Sequence, residues 1–282
     1  MLREFHPVKF ILPSLAGVSL FLLVPYIDVL FRSFWRTSDG RFAGLDNYRE
    51  VICNEAFRLA MKNTFLFDLV CIPLLLIGSL LIALFLFEGP RGAGVLKTGF
   101  LIPMAIPTAS VVLMWRFLFD QQGILNGILT GSGHAAVHWM DSGIAFWILV
   151  GSYIWRNLGY NLILWLAALS TVPRSSTEAA RLDAAGPLAR LRYVILPHIR
   201  GASFVIIVLA LLNSFKVFRE AYLVAGDYPD SSIYMIQNLF NNWFLNLDTD
   251  KMAAGATIDS AILILLILLL QRTWEMRGET DA

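Results

Sequence analysis

The chain has 282 residues, of which 57% are hydrophobic and 15% charged, and its formal net charge is +1 at pH 7. This composition is too apolar for an ordinary soluble domain. The scattered basic residues form no basic arm, so no nucleic-acid partner is expected. The two cysteines have neither metal-ligand spacing nor an obvious disulfide partner, and we expect neither a metal nor a cofactor.

Six long apolar segments account for about half of the chain, at 10–32, 64–87, 98–119, 144–168, 202–225 and 253–271. A helix of roughly 20 apolar residues crosses the hydrocarbon core of a bilayer. Such a helix also satisfies its own backbone hydrogen bonds, which lipid cannot do. The sequence therefore predicts an all-α membrane protein, with six transmembrane helices in one bundle that forms a single domain over residues 1–282.

The distribution of Lys and Arg predicts the orientation of the chain. The loops at 120–143 and 226–252 contain only Lys251 between them, whereas the segments on the side of the N-terminus hold 11 Lys and Arg residues against 6 on the opposite side. The first loop on the opposite side, about 33–63, is itself fairly basic. Because basic residues concentrate in cytoplasmic loops, both termini are predicted to be cytoplasmic.

The third apolar segment contains two prolines, Pro103 and Pro107. Each removes a helix hydrogen bond, so the helix should bend or unwind there, either to line a transport path or for packing alone. The preceding connection, 88–97, has glycines spaced like a phosphate loop, but Val95 stands where the lysine is needed. We interpret it as a turn and expect no ATP hydrolysis by this chain.

Polar side chains follow one face of the fourth segment at helical spacing: Tyr153, Arg156, Asn157, Tyr160 and Asn161. A charged stripe at membrane depth is costly unless it faces partners or water. The stripe therefore lines a transport path, or else it forms an internal hydrogen-bond network or anchors helix ends. Asn213 and Ser214, deep in the fifth segment, are further candidates for a cavity wall.

A polar, helix-prone stretch of about 171–201 separates the fourth and fifth segments. Gly186-Pro187 breaks it and Pro197 ends it, which predicts two short helices meeting at an angle on the cytoplasmic face. We call this stretch the elbow. Ser175 and Glu178 fit an S-x-x-E capping box. The elbow can be a docking surface or a plain amphipathic connector.

The segment EAARLDAAGPLARLRYVILP (178–197) resembles the EAA loop of binding-protein-dependent ABC importer permeases. The resemblance extends along nearly the whole chain, through GLDNY (44–48), Asn63-Thr64, Pro103, Pro107, Trp115, Gly123, Asn126 and LAALSTVP. Together these motifs are similar to the carbohydrate-uptake branch, which includes the maltose and glycerol-phosphate permeases. The chain departs from the family at Ala184, where a glycine is usual, and at Leu188 and Leu191, where aromatic residues are usual.

This resemblance implies a permease subunit in the bacterial plasma (inner) membrane, where the lipid bilayer surrounds it. Its partners would be a second permease, two cytoplasmic ATP-binding subunits, an extracytoplasmic solute-binding protein and a sugar-like substrate. The elbow would sit in a cleft of one ATPase, with coupling carried by Glu178, Ala179, Ala180, Asp183 and Gly186. In relatives, sugar contacts come from the helices flanking the elbow, and the matching positions here are Tyr153, Arg156, Asn157, Tyr160 and Ser214.

Two other classes of protein remain as alternatives. A secondary transporter driven by an ion gradient would more naturally show inverted repeats and intramembrane carboxylates, and we find neither clearly in the sequence. A membrane-embedded enzyme would need catalytic groups converging within the bundle, and no such constellation is visible in the sequence. We therefore expect a transporter subunit, not an enzyme.

Overall fold

The computed structural model describes residues 8–37, 40–184, 186–217 and 229–280. The described residues of 1–58 and 239–269 form one compact unit, and those of 59–238 and 270–282 form another. Helices dominate the described residues, and one two-stranded antiparallel ribbon pairs Trp35–Arg36 with Arg41–Phe42. The predicted all-α class is thereby confirmed.

The first unit begins with one apolar helical run. It comprises α1 (Val8–Val18), a π-helical turn (Ser19–Leu23) and α2 (Val24–Ser33), and α3 (Asp46–Cys53) follows the ribbon. The buried Asn47 fixes the start of α3 to the end of α2, because its Nδ2 donates to the carbonyl oxygens of Ser33 and Trp35, each at 3.0 Å. This contact explains the asparagine of the GLDNY stretch.

Most of the remaining helices lie in the second unit. In chain order the elements are α4 (Glu55–Phe87), α5 (Ala93–Ala105), α6 (Thr108–Phe119), α7 (Ile124–Gly131), α8 (Ile144–Leu169), α9 (Arg174–Leu182), α10 (Pro187–Arg190), a π-helical turn (Leu191–Ile195), α11 (Leu196–His198), α12 (Arg200–Ser214), a 3₁₀ turn (Phe215–Val217), α13 (Ile236–Leu245) and α14 (Thr249–Thr280).

Three stretches of the described chain are long and apolar enough to cross a membrane as single helices: Ile11–Ser33, Glu55–Phe87 and Thr249–Trp274. Two bent helix pairs raise this number to five if each pair is one span. The fourth predicted segment is α8, whose 26 residues would extend about 39 Å. The end of the fifth predicted segment, 218–225, lies outside the described residues. The total of six spans stays a prediction.

The third predicted segment is broken at its second proline. Pro103 is buried within α5, which continues to Ala105, whereas Pro107 precedes α6 and Ile106 is extended between them. The helical run before this break and the run after it differ in direction by 90°. Since Pro107 has no N–H to donate to a preceding turn, the helix ends there. The predicted break is confirmed, and Pro107 marks its position.

Two apolar clusters lie at different heights along α4 and α8 in the second unit. The first gathers Phe67, Cys71, Leu75, Leu149, Tyr153, Ile233 and Met235. The second gathers Ala83, Leu86, Leu162, Trp165, Leu169, Val172, Ile199 and Ile206. Because Val172 and Ile199 lie near the two ends of the elbow, the second cluster packs the base of the elbow against the end of α4.

Helices α5 and α8 approach each other closely at Gly159. A Cβ atom built on this glycine would lie 2.2 Å from the carbonyl oxygen of Phe100 and 3.1 Å from the Cα of Leu101. Small residues permit such backbone contacts between membrane helices. Gly159 therefore fixes the distance between the polar stripe of α8 and the helix that leads into the Pro107 break.

Candidate functional site

The polar stripe of α8 faces the interior of the second unit. Tyr153 and Asn161 are each 2% exposed, and Arg156, Asn157 and Tyr160 are half-buried. The ring of Tyr153 packs edge-on against that of Phe67, with 5.5 Å between centroids. On the opposite face of the same helix, Gly151 and Trp155 are exposed.

Hydrogen bonds within α8 use the amide donors of the stripe. Asn157 Nδ2 donates to the carbonyl oxygen of Tyr153 at 2.9 Å, and Asn161 Nδ2 donates to that of Asn157 at 3.1 Å. The buried Oδ1 of Asn161 has no hydrogen-bond partner among the described residues. An internal network thus occupies the donors, while one buried acceptor stays open to a hydroxyl group or water.

Arg156 connects the stripe to the proline break. Its Nη2 donates to Oγ1 of Thr108, the first residue of α6, at 2.7 Å. A half-buried guanidinium at this depth therefore has an internal protein contact. The contact also ties α8 to the helix that begins just after Pro107.

Ser214 lines a small cavity in the second unit. The cavity has room of about 10 Å³, roughly what one water molecule needs, and its wall includes Thr64, Phe67, Asp68, Ser214, Met235 and Gln237. Ser214 is buried and donates to the carbonyl oxygen of Leu211 at 2.6 Å. Its neighbour Asn213 is half-buried.

Phe67 joins the two predicted polar clusters. Its ring packs against that of Tyr153 in the stripe. Phe67 also lines the cavity that Ser214 lines. Sequence reasoning missed this residue because a phenylalanine in an apolar segment carries no signal of function. The fold alone brings it between the helices before and after the elbow.

Two carboxylates in apolar segments were also overlooked in the sequence. Asp68 lies on α4 in the cavity wall, and Asp259 lies on α14 within the first unit, half-buried. A charged residue inside an apolar run was a visible signal. In the described ranges no cluster of three or more His, Cys, Asp or Glu side chains that could hold a metal ion occurs.

The elbow consists of α9 and a helical run from Pro187 to His198, which meets α12 at 82°. The predicted coupling residues lie on α9 or just after it. Glu178, Ala179, Asp183 and Gly186 are exposed, and Ala180 is half-buried. The exposed positions leave this side of the elbow accessible to another protein.

The capping-box interpretation of Ser175 and Glu178 is wrong. Helix α9 begins at Arg174 with Pro173 at the capping position, and no side chain caps it. Since Ser175 is already inside the helix, it cannot accept the hydrogen bond that a capping box requires. Local capping therefore does not explain Glu178.

Ala184 has a left-handed backbone conformation, with φ of 55°. An L-residue with a Cβ is strained there by about 1 kcal/mol relative to glycine. We expect Ala184→Gly to stabilise the elbow and to slow amide hydrogen exchange of residues 174–198 about fivefold. Ala189→Gly, within the second elbow helix, is the control and should speed exchange instead. Equal exchange in Ala184→Gly and the unaltered chain would contradict strain at this turn.

Apolar helices with a polar stripe turned inward define an integral membrane protein. The family described as binding-protein-dependent transport system inner membrane component matches residues 75–275. The chain belongs to this family. It is therefore an inner-membrane permease component of an ABC importer, as the EAA-loop resemblance predicted.

Curated relatives align over nearly the whole chain. The sn-glycerol-3-phosphate transport system permease protein UgpA of Yersinia pestis bv. Antiqua (strain Antiqua) is 30% identical over 270 residues, covering 93% of this chain and 90% of the relative. The trehalose/maltose transport system permease protein MalF of Thermococcus litoralis is 30% identical over 261 residues, covering 90% and 88%. These relatives are permease subunits, and membership of their family does not favour an ion-driven secondary transporter.

A solved structure shares the fold. A chain in the crystal structure of a bacterial alginate ABC transporter, in complex with an alginate pentasaccharide-bound periplasmic protein, superposes with a TM-score of 0.81 at 20% identity. The superposition covers 95% of this chain and 93% of that one. The architecture of the present chain is thus that of an ABC transporter permease.

Proposed function

We propose that this chain forms half of the translocation pathway of an ATP-driven importer for a sugar or related polyol. The observation that carries the proposal is the inward-facing stripe of α8, which meets the Ser214 cavity through Phe67. Aromatic, amide and hydroxyl groups suit a hydroxyl-rich solute, because they offer donors, acceptors and flat apolar faces. The named solutes of the relatives, glycerol 3-phosphate, trehalose and maltose, support this class of substrate.

The pathway residues in this proposal are Tyr153, Arg156, Asn157, Tyr160, Asn213 and Ser214. The chain is one domain of six spans with both termini and the elbow in the cytoplasm. A second permease completes the pathway, and an extracytoplasmic solute-binding protein delivers the solute. Such a binding protein is present in the alginate transporter complex.

Separate ATP-binding subunits supply the energy for transport. They bind the elbow at Glu178, Ala179, Ala180, Asp183 and Gly186. The exposure of four of these residues supports the docking assignment. The chain itself holds no ATPase site. Closure of the ATPase pair would displace the elbow, and the helices joined to it would alternate between inward-open and outward-open arrangements.

Asn157→Ala and Tyr160→Ala test the pathway. Each removes a polar group from the stripe, and loss of a hydrogen bond to a solute at this depth should lower uptake about tenfold. The measurement is uptake of radiolabelled glycerol 3-phosphate, maltose and trehalose by proteoliposomes that contain the complete complex. Trp147→Ala, which alters an exposed residue about two turns before the stripe on α8, is the control. Unchanged uptake in both stripe variants would reassign these side chains to packing.

A further inference from the structure

One carboxylate bridges the two helices of the elbow. Glu88 lies in the turn after α4, and its Oε1 is 3.6 Å from Nη2 of Arg181 and 3.6 Å from Nη2 of Arg190. Arg181 belongs to α9 and Arg190 to α10. Glu88 therefore contacts both sides of the Gly186-Pro187 break, although it lies about ninety residues earlier in the chain.

The two ion pairs differ in their surroundings. The side chains of Glu88 and Arg181 are each 59% exposed, and such a pair stabilises a protein little. The side chain of Arg190 is only 17% exposed, and its buried Nε has no acceptor in the part of the chain that the structure describes. A largely buried guanidinium needs a counter-charge. Glu88 supplies the only carboxylate paired with it among the described residues.

Glu88 lies where the elbow meets the helices of the pathway. Two residues before it, Leu86 packs in the apolar cluster that includes Val172 and Ile199 at the base of the elbow. Directly after it, the chain turns into α5. That helix touches α8 at Gly159 and ends at the break before Thr108, the partner of Arg156. Glu88 thus contacts the elbow from a turn that is joined directly to both α4 and α5.

We propose that Glu88 is a positioning residue that locks both elbow helices to the α4–α5 turn, so that displacement of the elbow moves α4 and α5. We call Glu88, Arg181 and Arg190 the elbow clamp. The elbow clamp rests on the proposed coupling function. It adds to that function the contacts through which a displacement of the elbow is transmitted to α4 and α5. The apolar cluster packs the base of the elbow against α4, and the contacts of Glu88 position α9 and α10 relative to the turn.

The experiment separates ATPase binding from movement of the pathway. A reporter cysteine replaces Gln237 in the cavity wall, in a Cys53→Ser background that removes the exposed thiol. The complete complex is purified through a tag on this chain. Labelling of the reporter by a membrane-impermeant maleimide is then followed with no nucleotide and with ATP plus vanadate, and the ATPase subunits that copurify are quantified.

In the complex with Glu88 intact, nucleotide should change the labelling rate. Glu88→Gln should reduce this nucleotide-dependent change about fivefold, while ATPase copurification and ATP hydrolysis stay within about twofold. Glu88→Asp should restore part of the response. The double variant Glu88→Gln/Arg190→Gln should reduce the nucleotide-dependent change no further than the more affected of the two single variants, because both substitutions remove the same ion pair. Arg91→Gln, an exposed charge in the same turn, is the control and should respond normally.

A full nucleotide response in Glu88→Gln would overturn the clamp. So would loss of the ATPase subunits from that variant, since Glu88 would then serve only to fold the docking surface. A reference complex that retains no ATPase, or that shows no response to nucleotide, would contradict the proposed function and the clamp with it. Because Arg190 is largely buried, Arg181→Gln provides a second, exposed variant and should weaken the response in the same direction.

Discussion

Gly159→Ala should destabilise the permease by about 3 kcal/mol. The new Cβ would meet backbone atoms, 2.2 Å from the Phe100 carbonyl oxygen and 2.8 Å from its carbon, so no side chain can rotate away. Helix α5 must move as a body, and the Arg156–Thr108 contact beyond it should be lost. The measurement is the thermal unfolding midpoint of the purified complex, together with the amount of folded chain in the membrane.

Gly151→Ala is the matched control for this prediction. Gly151 lies on the same helix, and nothing lies within 4 Å of its added Cβ. Since alanine is the better helix former by about 1 kcal/mol, this variant should be as stable as the unaltered chain or more so. If Gly159→Ala were equally stable, the close approach of α5 and α8 would not exist in the folded protein.

Glu178→Lys should abolish ATP-driven uptake and remove most of the ATPase subunits from the purified complex. Glu178 is exposed on α9 and takes part in no capping interaction, so a role in the elbow's own folding does not account for it. In the proposed docking contact, reversing the charge of Glu178 replaces an attraction by a repulsion, which at an interface costs several kcal/mol. Copurification of the ATPase and uptake by proteoliposomes are the two measurements.

Asp141→Lys serves as the control for the elbow variant. It makes the same change of charge at an exposed position near the start of α8, whereas the elbow follows the end of that helix. Insertion of both variants into the membrane should be normal. A Glu178→Lys chain that retained its ATPase and transported normally would argue that the elbow is only a connector.

The sequence predicted features that depend on short stretches of chain. The proline break needs only the missing N–H of Pro107, and the elbow follows from Gly186-Pro187 in a helix-prone stretch. The stripe follows from residue spacing along one helix. Each of these three features can be predicted without knowing which helices are neighbours.

Features that depend on contacts between distant segments were not predictable in the same way. Phe67 and Gly159 gain their roles only from the partners that the fold brings to them. Glu88 was read as part of a turn, because nothing local indicates that Arg190 lies beside it. The capping box failed for a different reason: Pro173 starts α9 earlier than the motif implies.

The most direct test of this account compares the chain alone with its complete complex. Proteoliposomes would hold either the purified chain or the complex with the second permease, the ATPases and the binding protein. Uptake of glycerol 3-phosphate, maltose and trehalose would be followed with internal or external ATP and with proton or sodium gradients. The account predicts accumulation by the complex only with ATP on the ATPase side, and none by the chain alone. Accumulation by the chain alone on an ion gradient would contradict it.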